Sequence, residues 1–417
     1  ALSHGGLDAA PYSPTMENAN YYLAQVPGVD AMLIGHAHLP FPLASGTAAQ
    51  FNLPGVDKVK GTVHGVPAVM ANLWGKHLGV IALHLHYDGR RWVVDKTRTT
   101  VEARGTQNPD RSYVDADPAV GRLVAAEHQA TIGYVQTPVG TSDFRMSTYF
   151  ADVGDVSAIE LVNQAQTDYV RRFVKDNLPQ YADLPVLSMA SPFKAGSAGV
   201  GDYTDVRAGA LALNNAADLY LYPNELHAVK LDGAGLKAWL EKSAERFNRI
   251  DPASTAPQEL VNTGVAGYNF DLLTSADVRY RIDVTQPVGQ RIVALQYRDK
   301  PIAPGQQFLV ATNNYRASGG GNFPGLDGSK TVIAAPDSSR DVLIAYIRKT
   351  RTLTRAANGA TRSWRFAPVK TSGPVVFHAA PGMIGLAREA GLTAVTELRP
   401  DDGGGKGFAL YAVDLSK

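Results

Sequence analysis

The sequence predicts a mixed α/β and α+β fold spread over more than one domain, and three observations carry that prediction. Short apolar runs bounded by Gly, Pro and Asn read as strands, and they are interleaved with segments whose apolar residues recur at helical spacing. The chain has 417 residues, more than one hydrophobic core ordinarily spans. A polar, turn-rich stretch from Ala103 to Asp117 separates a strand-rich beginning from a longer region in which strands and helices alternate. The expected division is residues 1–105, a linker with a helix over 106–134, and residues 135–417.

The elements follow in chain order. Residues 14–25 read as a helix leading into the apolar run Ala31-Met32-Leu33-Ile34, so that an αβ unit is expected. Residues 63–72 and 78–87 give two strands, and 91–103 a third rich in Val and Thr. Asp117-Pro118 opens a helix, with Asp as N-cap and Pro at the first helical position. Val120, Leu123 and Val124 lend it an apolar stripe, so it reads either as a hinge between domains or as an ordinary surface helix. Further on, residues 155–175 form a helix with Ile159, Val162, Ala165, Tyr169 and Val170 inward, and 185–191 a strand. Residues 233–248 form a helix with Leu236, Trp239, Leu240 and Phe247 on one face. Strands are expected at 279–285, 291–297 and 307–312, the last two turning through Arg298-Asp299-Lys300-Pro301 as a hairpin. Residues 340–349 and 381–390 read as helices and 407–414 as a closing strand.

Composition narrows the function. The chain is 45% hydrophobic and 19% charged with a net charge of +1, which gives no electrostatic basis for binding nucleic acid or a membrane surface. It has no cysteine, so disulfides, thiolate catalysis and zinc–thiolate sites are excluded, leaving His, Asp, Asn and Glu as metal ligands. No apolar stretch approaches the roughly 18 residues of a membrane-spanning helix. The first residues already read as the end of a strand, and an upstream segment outside this chain is expected.

Histidine placement is the most informative local feature. The run Ala31-Met32-Leu33-Ile34 ends in Gly35-His36-Ala37-His38, and the stub Ala1-Leu2-Ser3 ends in His4-Gly5-Gly6. Imidazole is the commonest side-chain ligand of divalent transition metals, and sites in open α/β sheets gather at the carboxyl ends of strands. His4, His36 and His38 are therefore candidate ligands, although each can also be read as a polar loop residue. His84 and His86 share the alternate spacing but sit among leucines inside a strand pattern, on one face, and read as structural.

Two further segments each place a tyrosine just past an apolar run. They are Tyr220-Leu221-Tyr222-Pro223-Asn224 and Thr312-Asn313-Asn314-Tyr315-Arg316, the latter continuing into Gly319-Gly320-Gly321. Two rings from separate loops can sandwich a flat heterocycle, each stack contributing roughly 1–3 kcal/mol. A neighbouring Asn offers donors and an acceptor to a base edge, and the glycines let a ligand approach the backbone. Taken alone, such tyrosines are more often packed or rim residues.

Taken together, these segments resemble a known family. Ser3-His4-Gly5 and Asp30 to His38 resemble the last metal motifs of calcineurin-like metallophosphoesterases. Trp74-Gly75-Lys76-His77-Leu78-Gly79-Val80 is similar to the strand that follows them in 5′-nucleotidases. Residues 215–224 and 311–317 resemble the 5′-nucleotidase C-terminal domain. The wording of Tyr268-Asn269-Phe270-Asp271 and Ile282-Asp283-Val284-Thr285-Gln286-Pro287 is similar to the 2′,3′-cyclic-nucleotide 2′-phosphodiesterase/3′-nucleotidase branch. The resemblance implies the C-terminal part of a four-layer α/β/β/α sandwich over 1–105, a hinge helix at 117–133, and a substrate-binding domain over 135–417.

By the same resemblance, His4 and His36 would ligate one metal of a two-metal site and His38 the other, the ions being Mn, Co, Zn or Mg. Tyr222 and Tyr315 would stack a nucleobase, Asn224 would hydrogen-bond it, Gly319 and Gly320 would lie beside the sugar, and Lys194 would approach the substrate. Gly321 falls where 5′-nucleotidases place an acidic ribose contact. The family's remaining metal motifs and its catalytic His lie upstream of His4, so no catalytic residue is expected within this chain and metal binding here is expected to be incomplete. The implied activity is metal-dependent hydrolysis of 2′,3′-cyclic nucleotides and of 3′-nucleotides, on small nucleotide or nucleoside ligands, by a periplasmic monomer. Three readings stand beside it: a nucleoside-binding module without chemistry, a 5′-nucleotidase or UDP-sugar hydrolase, and an interaction protein that uses only the surface of the fold.

Overall fold

The structure is a computed structural model and describes residues 1–43, 49–110 and 112–417. By its internal contacts the chain divides into two units, Ala1–Ala125 and Ala126–Lys417.

The first unit is built on three parallel strands. Leu2–Ser3 pairs with Met32–Ile34, which pairs with Val66–Ala71. Antiparallel additions complete the sheet: Pro40–Phe41 beside Val66–Ala71, then Thr62–Val63 and Val56–Asp57. The strand Val66–Ala71 is almost wholly buried, as its unbroken apolar sequence requires. Its core gathers Tyr21, Met32, Ile34, Phe41, Phe51, Val63 and Met70. His77–Ala82 and Thr100–Gly105 pair antiparallel as a separate ribbon.

Three expectations for this unit are corrected. The helix read over 14–25 is only Asn20–Leu23. Residues ahead of it are held as turns because two side chains there are drawn to the first strand end: Asn18 Oδ1 accepts from the Gly6 N–H at 2.7 Å, and the buried Asn20 amide donates to the Gly5 carbonyl. The strand read over 78–87 breaks at Leu83–His84, and Leu85–Tyr87 turns away to pair with Trp92–Val94. His84 therefore lies between strands, while His86 is exposed, so the two do not share one face of a continuous strand. The strand read over 91–103 is likewise two, separated by a turn that Asp95 caps through the Thr97 N–H and hydroxyl.

The helix begun by Asp117 forms with the expected cap, Asp117 Oδ1 accepting from the Ala119 N–H at 2.8 Å. It is two helices, Pro118–Leu123 and Ala125–Val135, and neither contains a buried residue. The apolar stripe is thus open to solvent, with Leu123 80% exposed.

The second unit centres on a five-stranded sheet. Its order is Leu272–Leu273, Val186–Ala190, Gln307–Asn313, Glu225–Asp232, Thr331–Ser338. Val186–Ala190 and Gln307–Asn313 run parallel; the other neighbours are antiparallel. The amphipathic helix Ser157–Asn177 lays Ile159, Val162, Ala165 and Val170 on this sheet, while Tyr169 is only partly buried and donates its hydroxyl to Asp337. Gly233–Ser243 buries Leu236, Trp239 and Leu240, then tightens into a short 3₁₀ turn before Phe247. The helix read over 381–390 forms only as Ile384–Glu389.

Strand directions correct one further expectation. Ile292–Tyr297 does turn back at Arg298–Asp299, but onto the short strand Lys300–Pro301, and its other neighbour is Val278–Ile282. Gln307–Asn313 belongs to the central sheet instead. Its residues Phe308 to Ala311 are all buried, and a strand buried on both faces is favoured inside a sheet over an exposed hairpin.

Candidate functional site

The first candidate centre follows from the parallel pairing of Leu2–Ser3 with Met32–Ile34. Ser3 is opposite Ile34, so the next residues, His4 and Gly35, emerge together at the carboxyl ends of adjacent strands. The Gly35 N–H donates to the Gly5 carbonyl at 3.2 Å and fixes the two loops to each other. The imidazoles of His4 and His36 consequently meet edge to face, ring centres 5.3 Å apart. His36 Nε2 lies 3.0 Å from Glu17 Oε1. His36 and His38 both adopt the left-handed backbone region, with φ of 68° and 55°. For residues with a Cβ this conformation costs of order 1–3 kcal/mol each and is retained where the surroundings demand it.

His38 is exposed, and among the described residues no group of three metal-ligating side chains forms. His4 and His36, expected on one ion, lie together, while His38, expected on the other, joins no such group. Two imidazoles, one of them engaged by the Glu17 carboxylate, supply only part of the donor shell of one divalent ion, and these residues do not fit two ions.

The second centre follows from the central sheet of the second unit. Ser188 is opposite Ala311 in the parallel pair, so the segments after Ala190 and after Asn313 leave the same edge. Leu226 is opposite Asn313 in the antiparallel pair, which brings the segment before Glu225 to that edge as well. Ala190 is opposite Leu272, and residues 267–271 join them. Four loops thus converge, carrying Phe193 and Lys194, Tyr222 and Asn224, Tyr268, and Tyr315 with Gly319 to Gly321. Ligand sites of α/β sheets lie at such edges.

The side chains are set as follows. Tyr222, Tyr268 and Tyr315 are 41%, 41% and 50% exposed, a degree of exposure that packing does not require of three large rings on one edge. Phe193 meets Tyr222 edge-on at 5.1 Å and Tyr220 at 5.0 Å. Partial burial pushes the Tyr222 phenol up, and the neighbouring Tyr268, Asp202 and Tyr315 add to this. Asn224 is half-buried, and the buried Tyr220 hydroxyl accepts from the Asn313 amide at 3.2 Å. Lys194 is ion-paired with Asp218 at 3.1 Å rather than turned outward alone.

Glycine is required at two positions of the fourth loop, the one that carries Tyr315. A Cβ on Gly320 would lie 2.5 Å from three atoms of the Tyr315 ring. Gly321 has φ +75°, and a Cβ there would lie 2.2 Å from Arg316 Nη1 and 2.4 Å from Asn269 Oδ1.

Beneath the rings is a polar hub. Arg316 and Asp271 are both buried, and Nε meets Oδ2 at 2.7 Å. Arg316 Nη2 also donates to the Tyr268 carbonyl at 2.6 Å, and Nη1 to the Gly320 carbonyl and to Asn269 Oδ1. Asp271 accepts from Trp239 Nε1 at 2.7 Å and from the Ser191 hydroxyl at 2.8 Å. A buried ion pair is stable only when its remaining hydrogen-bonding capacity is met, and here it is met by three of the four loops. Sequence reasoning placed Arg316, Tyr268 and Asp271 inside motifs but gave them no role. The available signal was an arginine and an aspartate in apolar surroundings with opposite charge.

Relatives share this chain's sequence throughout. A model of the 5′-nucleotidase C-terminal domain matches residues 132–328. The 2′,3′-cyclic-nucleotide 2′-phosphodiesterase/3′-nucleotidase of Salmonella typhimurium is 40% identical over 438 residues, covering 100% of this chain and 66% of that protein. The chain belongs to the 5′-nucleotidase family. Its counterpart of the same description from Yersinia enterocolitica is 37% identical, covering 100% of this chain and 65% of that protein. The chain thus spans a little under two thirds of the length of these relatives. In three dimensions it matches a structure assigned as a 5′-nucleotidase of Staphylococcus aureus, in complex with α-ketoglutarate, with a TM-score of 0.57. That match has 17% identity and covers 87% of this chain and 62% of that one, a likeness of fold. The mixed α/β and α+β fold and the C-terminal domain expected from the sequence are therefore those of the 5′-nucleotidase family. No helix of the described residues is long and apolar enough to cross a membrane.

Proposed function

We propose that this chain belongs to a hydrolase that converts 2′,3′-cyclic nucleotides to 3′-nucleotides and 3′-nucleotides to nucleosides and phosphate. In this reading the second unit recognises the nucleoside and the first contributes imidazoles to phosphoester chemistry. The observation that carries it is the convergence of Tyr222 and Tyr315, both half-exposed, on one sheet edge with a glycine loop beside them.

The second unit's contribution is recognition. Tyr222 and Tyr315 hold the base by its faces, which accepts any base because every base has a π-face. Asn224, half-buried on the Tyr222 loop, offers its amide to the base edge. Gly319 and Gly320 admit the ribose close to the backbone. Lys194, paired with Asp218, lends positive charge that a phosphate can compete for.

In the first unit His4 and His36 serve as neutral imidazole donors at the strand ends, with His38 beyond them. Divalent metal ions (Mn, Co, Zn or Mg) and a periplasmic, monomeric state belong to this reading. Phosphate release from 2′,3′-cyclic AMP and 3′-AMP by the full-length protein, with added Mn²⁺ or Co²⁺, tests it. Hydrolysis of 5′-AMP in preference to either would favour a 5′-nucleotidase instead. Adenosine binding without turnover by the 417-residue chain fits its role as the recognition part, and failure to bind adenosine contradicts it.

A further inference from the structure

We propose that Tyr268 is a third ligand-facing ring of the nucleoside site, and that its ring, more than its hydroxyl, contributes to affinity. The proposal rests on the nucleoside reading above and adds a residue to it. Three observations carry it. Tyr268 lies in the short turn Gly267–Asn269, and that turn is fixed unusually firmly for a surface segment. Its Tyr268 carbonyl accepts from Arg316 Nη2 at 2.6 Å and lies 3.0 Å from the Ser191 hydroxyl oxygen, whose one hydrogen it shares with Asp271. The turn is wedged between two of the other loops: a Cβ on Gly267 would lie 2.8 Å from the Pro192 carbonyl, and Asn269 Oδ1 faces Gly321 and Arg316. Yet the ring mounted on this rigid backbone is 41% exposed, as exposed as Tyr222.

An immobile backbone under an exposed aromatic ring is the arrangement that lets a ring bind without loss of loop entropy on ligand capture. Tyr, with only two side-chain torsions, adds little further entropic cost. Tyr268 is also near enough to Tyr222 that its phenol helps push the Tyr222 phenol up. The same Arg316 side chain holds the Gly320 carbonyl, against whose residue the Tyr315 ring rests. The backbone under Tyr268 and the glycine loop against which Tyr315 rests are therefore held by one side chain.

Calorimetric titration of the 417-residue chain with adenosine tests this, using Tyr268→Ala, Tyr268→Phe and Tyr222→Ala beside the unmodified chain. Tyr268→Ala is expected to weaken binding about tenfold, as loss of one stack would, at an unchanged unfolding temperature. Tyr268→Phe is expected to retain most of the affinity. If Tyr268→Ala binds like the unmodified chain while Tyr222→Ala is impaired, Tyr268 is outside the site and the proposal falls while the nucleoside reading stands. If Tyr268→Phe is as impaired as Tyr268→Ala, the hydroxyl and not the ring is responsible, and the proposal is overturned. If the unmodified chain does not bind adenosine at all, the nucleoside reading fails first.

Discussion

The Tyr315 ring rests against Gly320, so closely that a methyl group on that glycine would stand 2.5 Å from the ring's Cδ1, Cε1 and Cζ. Gly320→Ala is expected to displace the ring and weaken adenosine binding by about tenfold, the worth of one stack. Calorimetric titration measures this, and Gly319→Ala at φ +108° serves as a comparison in which backbone strain, not ring contact, dominates. Equal affinity in Gly320→Ala and the unmodified chain would mean that Tyr315 does not bind the base.

Tyr222 stacks on the ligand in ground and transition states alike, if the proposed function holds. Tyr222→Ala in the full-length protein should therefore raise KM for 3′-AMP with kcat nearly unchanged. Steady-state kinetics decide it, and a large fall in kcat at constant KM contradicts the stacking role.

His36 is held in the left-handed region, 5.3 Å ring to ring from His4, with Glu17 on its Nε2. His36→Ala in the full-length protein is expected to abolish metal-dependent phosphate release. His86→Ala, which removes an exposed imidazole from the strand Leu85–Tyr87, is expected to leave it intact. Turnover of the His36 variant at saturating Mn²⁺ equal to that of the unmodified enzyme would remove the strand-end imidazoles from the chemistry.

Arg316 is 3% exposed and neutralises Asp271 in the interior of the second unit. Arg316→Met strands a buried carboxylate that still accepts from Trp239 and Ser191, and should destabilise the fold by about 3–5 kcal/mol. Arg316→Met combined with Asp271→Asn should recover part of that loss, because no unpaired charge remains. Urea unfolding of the two variants compares them, and equal midpoints would show that the charge is not what the interior needs.

Asp155 supplies a pH dependence. Burial pushes its carboxyl up to about 7, the nearby Glu160 adds to this, and the Ser363 N–H on Oδ2 offsets it only partly. With a folded pKa above the unfolded 3.8, the folded state holds the proton longer. Its contribution to stability is therefore complete below the unfolded pKa and is lost as pH rises through the folded value. Asp155→Asn keeps an acceptor for Ser363 but cannot ionise. The unfolding temperature of the unmodified chain minus that of the variant should fall between about pH 4 and pH 7. A constant difference across that window contradicts the assignment.

Much of the local structure was legible in the sequence. The helix at 155–175 and the strands at 185–191 and 307–312 form within about two residues of their expected ends, because each carries a long apolar pattern with one period. The segment 14–25 failed for a reason periodicity does not record: Asn18 and Asn20 bond to a strand end more than ten residues away. The stripe Val120, Leu123 and Val124 has helical spacing, yet none of the three is buried. The turn at 298–301 forms, but the expected pairing of 291–297 with 307–312 does not, because the central sheet takes the apolar strand Gln307–Asn313. His4, His36, Tyr222 and Tyr315 were found as candidates from residue type and position alone. The Arg316–Asp271 pair was not, because the two charges are 45 positions apart and only burial gives them a role.

Residue chemistry and short-range pattern determined the mixed fold class, the imidazoles after two apolar runs, and the rings after two others, since these depend on neighbours within a few positions. Strand order and direction were decided only in three dimensions. They bring the segments after Ala190 and Asn313, and those before Glu225 and Leu272, to one edge, and they pair His4 with His36 while leaving His38 outside the pair. The physical reason is that pairing partners are chosen by burial of whole faces across long separations, and no local spacing encodes which strand will lie beside which.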